Sequence, residues 1–198
     1  MDVKTVIFIY GVFALVGLVA LFWLGLMFVA SRLSEGVEES YTRLRRRLSP
    51  LAITGAWGAA TLAMAGSLYF SEVANYTPCT LCWYQRIAMY PLVLILGIAA
   101  IRRDTGIRLY AIPLAAVGAV IAAYHYLLEW FPQIDTGACT VGIPCTQVWF
   151  REFGFVSLPL LALIAFGLVI ALLLVPVREP QGETPDDEEE AEEEPTQA

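Results

Sequence analysis

The sequence predicts an all-α integral membrane protein whose chain crosses the bilayer as five helices. Three observations carry that reading. Of 198 residues, 58% are hydrophobic and only 16% are charged, with a mean hydropathy of +0.66; a soluble domain carries about 25% charged residues. Five apolar runs reach or approach the roughly 20 residues that cross a bilayer. Nine of the twelve basic residues gather in the first and third connections between these runs and just after the last run.

The first run, 6–30, carries no charge. It is longer than a signal-peptide core and its positive cluster follows it, so it reads as a retained helix with its N-terminus outside. The second, 51–70, is uncharged and rich in Gly and Ala; Gly55, Ala59 and Ala63 at four-residue spacing let helices approach closely in lipid. The third, 83–101, is apolar except for Gln85 and Arg86 near its start. The fourth, 109–128, holds one titratable group, His125, and the fifth, 154–177, is uncharged. All five runs are continuous rather than alternating, which argues against strands. Between the first two, Val37, Tyr41, Leu44 and Leu48 share one helical face. Segment 37–48 is therefore either a short amphipathic helix on the cytoplasmic surface or a solvated linker.

Charge sets the orientation. Arg32, Arg43, Arg45, Arg46 and Arg47 fill the first connection, Arg102, Arg103 and Arg108 the third, and Arg178 follows the last run. The positive-inside rule puts all of these in the cytoplasm. Segments 71–82 and 129–153 then face outwards. The net charge of −7 belongs to a tail: ten of the nineteen acidic residues lie in 179–198, which has no Lys or Arg and reads as disordered. The rest of the chain is slightly basic, with no field that suits nucleic acid.

All four cysteines lie in or beside the two outer segments, the side on which disulfides form and persist. Cys79 and Cys82 form a CxxC directly before an apolar helix, where the helix dipole and free amides favour a thiolate. Arg86 lies one turn beyond Cys82, so it either lowers the thiol pKa or anchors the helix at the interface. A Cys139–Cys145 bridge would close a loop of seven residues and contribute only about 2 kcal/mol. It is then a labile, exchangeable disulfide in a turn-rich loop with Gly137, Gly142 and Pro144, or a small staple. Two pairs on one side suggest a thiol–disulfide relay, and a lipid-soluble quinone is the natural outlet for its electrons. A zinc site fits poorly, because the second spacing is too long for a zinc knuckle. No metal is expected.

The octapeptide Cys79-Thr-Leu-Cys-Trp-Tyr-Gln-Arg86 followed by Tyr90-Pro91 resembles the signature of the disulfide bond formation protein B (DsbB) family, in particular its short-loop, BdbC-like type. Cys139 to Cys145, then Trp149-Phe150 and Phe153-Gly-Phe-Val-Ser-Leu-Pro159, is similar to that family's second cysteine loop and last helix. The resemblance spans roughly 51–177. It implies a four-helix transmembrane bundle, to which the run 6–30 is one additional N-terminal transmembrane helix, and a membrane thiol:quinone oxidoreductase that reoxidises an extracytoplasmic thioredoxin-fold thiol oxidase and draws on the membrane pool of ubiquinone or menaquinone. By the same resemblance Cys82 is the quinone-proximal cysteine, Arg86 and His125 contact the quinone, the partner attacks Cys139, and Cys145 passes the electrons to Cys79.

The expected organisation is an accessory helix and basic connection in 1–50, a redox bundle in 51–178 and a cytoplasmic acidic tail in 179–198. Trp130, Phe131, Trp149 and Phe150 are expected as an aromatic belt at the outer interface. The extra first helix, the closely spaced second pair and the tail depart from the family pattern. Two rivals remain: a vitamin K epoxide reductase-like enzyme, in which the CxxC usually follows the loop pair, and a non-catalytic scaffold with two structural disulfides.

Overall fold

Long apolar stretches leave the backbone little choice in lipid, where every N–H and C=O must be satisfied within the protein, so helices run on even through Pro91 and Pro113. The computed structural model describes residues 2–33, 39–41, 43–44, 49–135, 137, 139 and 143–175, and five long helices among them follow the five apolar runs. These are α1 (Val3–Ser31), α2 (Ala52–Leu68), α3 (Thr80–Arg102), α4 (Arg108–Trp130) and α5 (Leu158–Leu173). By length and composition α1, α3 and α4 can each cross a membrane. Helix α2 has 17 residues and gains length from a π-helical continuation over Tyr69–Val73.

The fifth element differs from the expected run of 154–177. The chain first makes a tight reversal, in which Glu152 and Val156 exchange two backbone hydrogen bonds of 2.8 Å. Phe153 (φ 53°) and Gly154 (φ 82°) occupy the left-handed region inside that reversal. Helix α5 therefore starts only at Leu158, with Pro159 in its first turn, where a missing N–H costs nothing. Its 16 residues give about 24 Å of helix.

Helices α2 to α5 close a ring in chain order: α2 packs on α3, α3 on α4, α4 on α5 and α5 back on α2. Helix α1 packs outside the ring, against α5. The ring's centre is built from small residues, including Ala56, Ala60, Ala88, Ala111, Ala115 and Ala122, around Leu92, Leu96 and Phe166. Such residues bring helices close where no hydrophobic force acts between helix and lipid. Gly118 shows how close: a Cβ there would lie 2.2 Å from Phe166 Cζ.

Of the four residues expected in an aromatic belt, Trp149 stacks on Tyr76 at 4.8 Å and Phe150 packs against Phe70 at 5.4 Å. Trp130 lies under the Arg151 guanidinium at 4.1 Å, and Phe131 is exposed. In segment 37–48 the Tyr41 ring meets Phe28 edge-on, while Val37 and Leu48 lie outside the described residues. So do Arg45 to Arg47, Gly142, Arg178 and the tail 179–198.

Candidate functional site

The start of α3 builds the site. Pro78 precedes an extended Cys79, which serves as the N-cap: its Sγ accepts the Cys82 backbone N–H at 3.3 Å. The CxxC spacing brings Cys82 Sγ to 2.9 Å from Cys79 Sγ, and both are free thiols. From α4, His125 Nε2 approaches Cys79 Sγ at 3.6 Å. Donors thus converge on Cys79. The Cys82 thiol first, and His125 next, hold the Cys79 thiol well below its usual range, against the opposing effect of burial.

His125 is 3% exposed and its orientation is fixed from behind. The Gln85 side-chain amide donates to Nδ1 at 3.0 Å, which leaves Nε2 carrying the proton. Nε2–H then faces both Cys79 Sγ and the Cys145 carbonyl, the latter at 3.1 Å. Cys139 and Cys145 are disulfide-bonded, with Cα atoms 5.8 Å apart. Cys145 is 1% exposed and shares a buried cluster with Cys79, Leu81 and Leu128; Cys139 sits at its partly buried edge. The ligand atoms of Cys79, Cys82 and His125 all lie within 4.8 Å of one another, close enough to share a soft cation such as zinc.

On the other side of the CxxC lies a cavity of about 390 Å³. Cys82, Gln85, Arg86 and Tyr90 from α3, Gly66 and Ser67 from α2, and Tyr76 and Trp149 from the segments that precede α3 and α5 are among its lining residues. The Arg86 fork is engaged by α2: Nε donates to Ser67 Oγ at 3.0 Å and Nη2 to the Ser67 carbonyl at 2.9 Å. Tyr90 donates to the same Ser67 Oγ at 3.4 Å. The guanidinium also lies 5.2 Å from the Trp83 ring centre. These contacts hold the fork at the cavity wall, beside Cys82.

The six site residues expected from sequence therefore fall into two groups. Cys82 and Arg86 line the cavity. Cys79, His125 and Cys145 form a buried cluster behind it, and Cys139 is disulfide-bonded at that cluster's edge. His125 lies between the cysteine pairs and is not among the cavity's lining residues, where a quinone contact had been expected. Sequence reasoning missed Ser67, which engages Arg86, and Gln85, which orients His125. A lone amide inside an apolar run is costly unless paired, and that signal could have flagged Gln85. It also missed Glu129, one turn beyond His125, whose buried carboxylate accepts from Ser157 Oγ.

Comparison with known proteins gives the family. The family model described as disulfide bond formation protein DsbB matches residues 46–176. The chain is 50% identical over 118 residues to disulfide bond formation protein C of Bacillus subtilis, covering 59% of this chain and 86% of that protein. It is 46% identical over 126 residues to a probable disulfide formation protein of Oceanobacillus iheyensis, covering 62% and 86%. A probable disulfide formation protein C of Halalkalibacterium halodurans is likewise 46% identical over 126 residues, covering 63% and 92%. No solved structure matches the chain. A CxxC capping a membrane helix, set against a second cysteine pair and matched through its whole bundle, leaves one conclusion: the chain belongs to the DsbB family and is a disulfide-forming oxidoreductase of the membrane.

Proposed function

We propose that the chain is a thiol:quinone oxidoreductase of the cell membrane that reoxidises an extracytoplasmic thioredoxin-fold thiol oxidase. The observation that carries this reading is the two-sided CxxC: Cys82 and Arg86 open onto a largely apolar cavity, while Cys79 backs onto His125 and Cys145. A quinone in the cavity supplies a two-electron, two-proton acceptor that dissolves in the bilayer. Polar groups at one end of an otherwise apolar cavity suit such a molecule.

The relay balances as follows. A thiolate of the partner attacks Cys139; the Cys139–Cys145 bond breaks as the mixed disulfide forms, and Cys145 leaves as thiolate. The partner's second thiolate displaces Cys139 and closes the partner's disulfide. Cys145 then attacks Cys79 of the oxidised Cys79–Cys82 pair and releases Cys82. Attack by Cys139 on Cys145 restores the loop disulfide and frees Cys79. Closing the Cys79–Cys82 bond again gives two electrons to the acceptor, and two protons accompany them to form quinol.

The residues present suit these roles. Cys145 packs against Cys79, and Cys139 lies further out, as the attack order requires. The helix N-terminus and the His125 N–H favour a thiolate on Cys79 when it leaves. Arg86 offers a fixed donor for an oxygen that gains negative charge. Its Ser67 contacts keep that donor in place. Helices α2 to α5 are the redox bundle, residues 1–50 an accessory unit and 179–198 a cytoplasmic tail, with both cysteine pairs outside and the basic connections inside.

The test is to reduce all four cysteines, add excess quinone without oxygen, and count free thiols by alkylation. Both pairs should close in the natural chain. In Cys82→Ser the three remaining thiols should stay open. Closure of the Cys139–Cys145 pair in that variant would refute the relay.

A further inference from the structure

Helix α1 lies outside the residues matched by the family model, yet it lines the same cavity as Cys82 and Arg86. Tyr10, Phe13, Ala14, Val16, Gly17 and Ala20 form a strip along it. We propose that α1 is a wall of the acceptor site, and that this strip holds the polyprenyl tail of the quinone whose ring meets Cys82 and Arg86. The inference rests on the quinone reading above and adds a substrate determinant to it.

The cavity has a direction. At its outer end the Tyr10 hydroxyl donates to the Leu62 carbonyl at 3.2 Å, and the Tyr10 ring covers Gly66, where a Cβ would lie 2.5 Å from Tyr10 Cε1. Ser67 follows Gly66 and holds the Arg86 fork, so Tyr10 stands level with the polar end. From Tyr10 to Ala20 the strip runs about 15 Å along the helix. Opposite its deep end the lining residues are Gly58 and Ala59 of α2 and Ala165 and Leu168 of α5, all apolar. Polar groups therefore occur at one end only, the pattern that fits a polar ring with a long hydrocarbon tail.

The wall is fixed on one side and bridged on the other. Gly17 brings α1 against α5 so closely that a Cβ would lie 2.7 Å from Ile164 Cγ2. Gly11 does the same against Phe153 and Glu152. Across the cavity, Tyr10 reaches α2. Without α1 this space would be a groove open to lipid along α2 and α5.

The experiment uses the full chain in vesicles with dithiothreitol as thiol donor. The acceptors are a benzoquinone and a naphthoquinone, each supplied with and without a polyprenyl tail. Ala20→Trp fills the deep end with an indole. Val16→Trp narrows the middle of the strip, about 6 Å before Ala20, from a position 62% exposed, which leaves the packing of α1 on α5 intact. Both variants should raise the apparent KM for the tailed quinone on the order of tenfold, while the tail-less quinone stays within about twofold. Turnover of the tail-less quinone reports that each variant is folded. An equal change for both quinones, or none for either, would overturn the role of α1 and leave the quinone reading standing. A natural chain that reduces none of the four acceptors removes both.

Discussion

Replacing His125 by Phe keeps a ring in the same buried space and removes both ring nitrogens. Cys79 Sγ then loses a donor 3.6 Å away. A hydrogen bond to an ionised group contributes about 1.5–3 kcal/mol, and this contact is long, so about 1.4 kcal/mol is the appropriate scale. That equals about one pH unit. The sign is fixed: a donor stabilises the thiolate, so its loss raises the Cys79 pKa and lowers reactivity at neutral pH. The assay is the pH dependence of the reaction of Cys79 with a small methanethiosulfonate, in a chain whose other three cysteines are Ser. With His125→Phe the midpoint should move up by about one unit. The Gln85 amide and the Cys145 carbonyl also lose their partner, so the melting temperature should fall as well. An unchanged midpoint would refute the claim that His125 donates to Cys79, whatever happens to stability.

Arg86→Lys should keep partial activity with a raised apparent quinone KM, since it retains the charge but loses the fork that spans Ser67 Oγ and O; Arg86→Gln should lose about a further tenfold in turnover. Unchanged kinetics in Arg86→Gln would reduce Arg86 to an interfacial anchor. Cys139→Ser should block oxidation of the partner while the Cys79–Cys82 disulfide still forms with quinone, as read by alkylation trapping; a first pair that stays reduced would break the proposed order. Gly118→Ala places a methyl 2.2 Å from the Phe166 ring in the core, an overpacking worth about 1–3 kcal/mol. Thermal unfolding in detergent should show a lower midpoint, and an unchanged one would mean that α4 and α5 can part freely.

Helix positions were legible because lipid leaves few alternatives to a helix for a long apolar run. The start of α5 was not, because Phe153-Gly-Phe is apolar and hydropathy cannot distinguish a left-handed reversal from a first helical turn. The CxxC at a helix start was legible from spacing, but the cap was not: the apolar run begins at 83, whereas the helix begins at Thr80 with Cys79 Sγ accepting the Cys82 N–H. The His125 environment was not, because it depends on which faces of α3 and α4 meet: Gln85 and His125 are 40 residues apart in sequence. Arg86 was visible as a charge near a membrane end, but its partner Ser67 lies 19 residues earlier on another helix. Nothing in the spacing of Tyr10, Val16 and Ala20 distinguishes a cavity wall from a lipid-facing stripe. Only the packing of α1 on α5 does.

The central claim is that Cys79 and Cys82 are the sole route from the partner's thiols to the membrane acceptor. Its most direct test is steady-state quinone reduction by a reduced thioredoxin-fold oxidase, without oxygen, in vesicles holding the full chain. The natural chain should turn over, and Cys79→Ser and Cys82→Ser should each abolish turnover while the Cys139–Cys145 disulfide still exchanges once with the partner. Sustained quinone reduction in either variant would contradict the account.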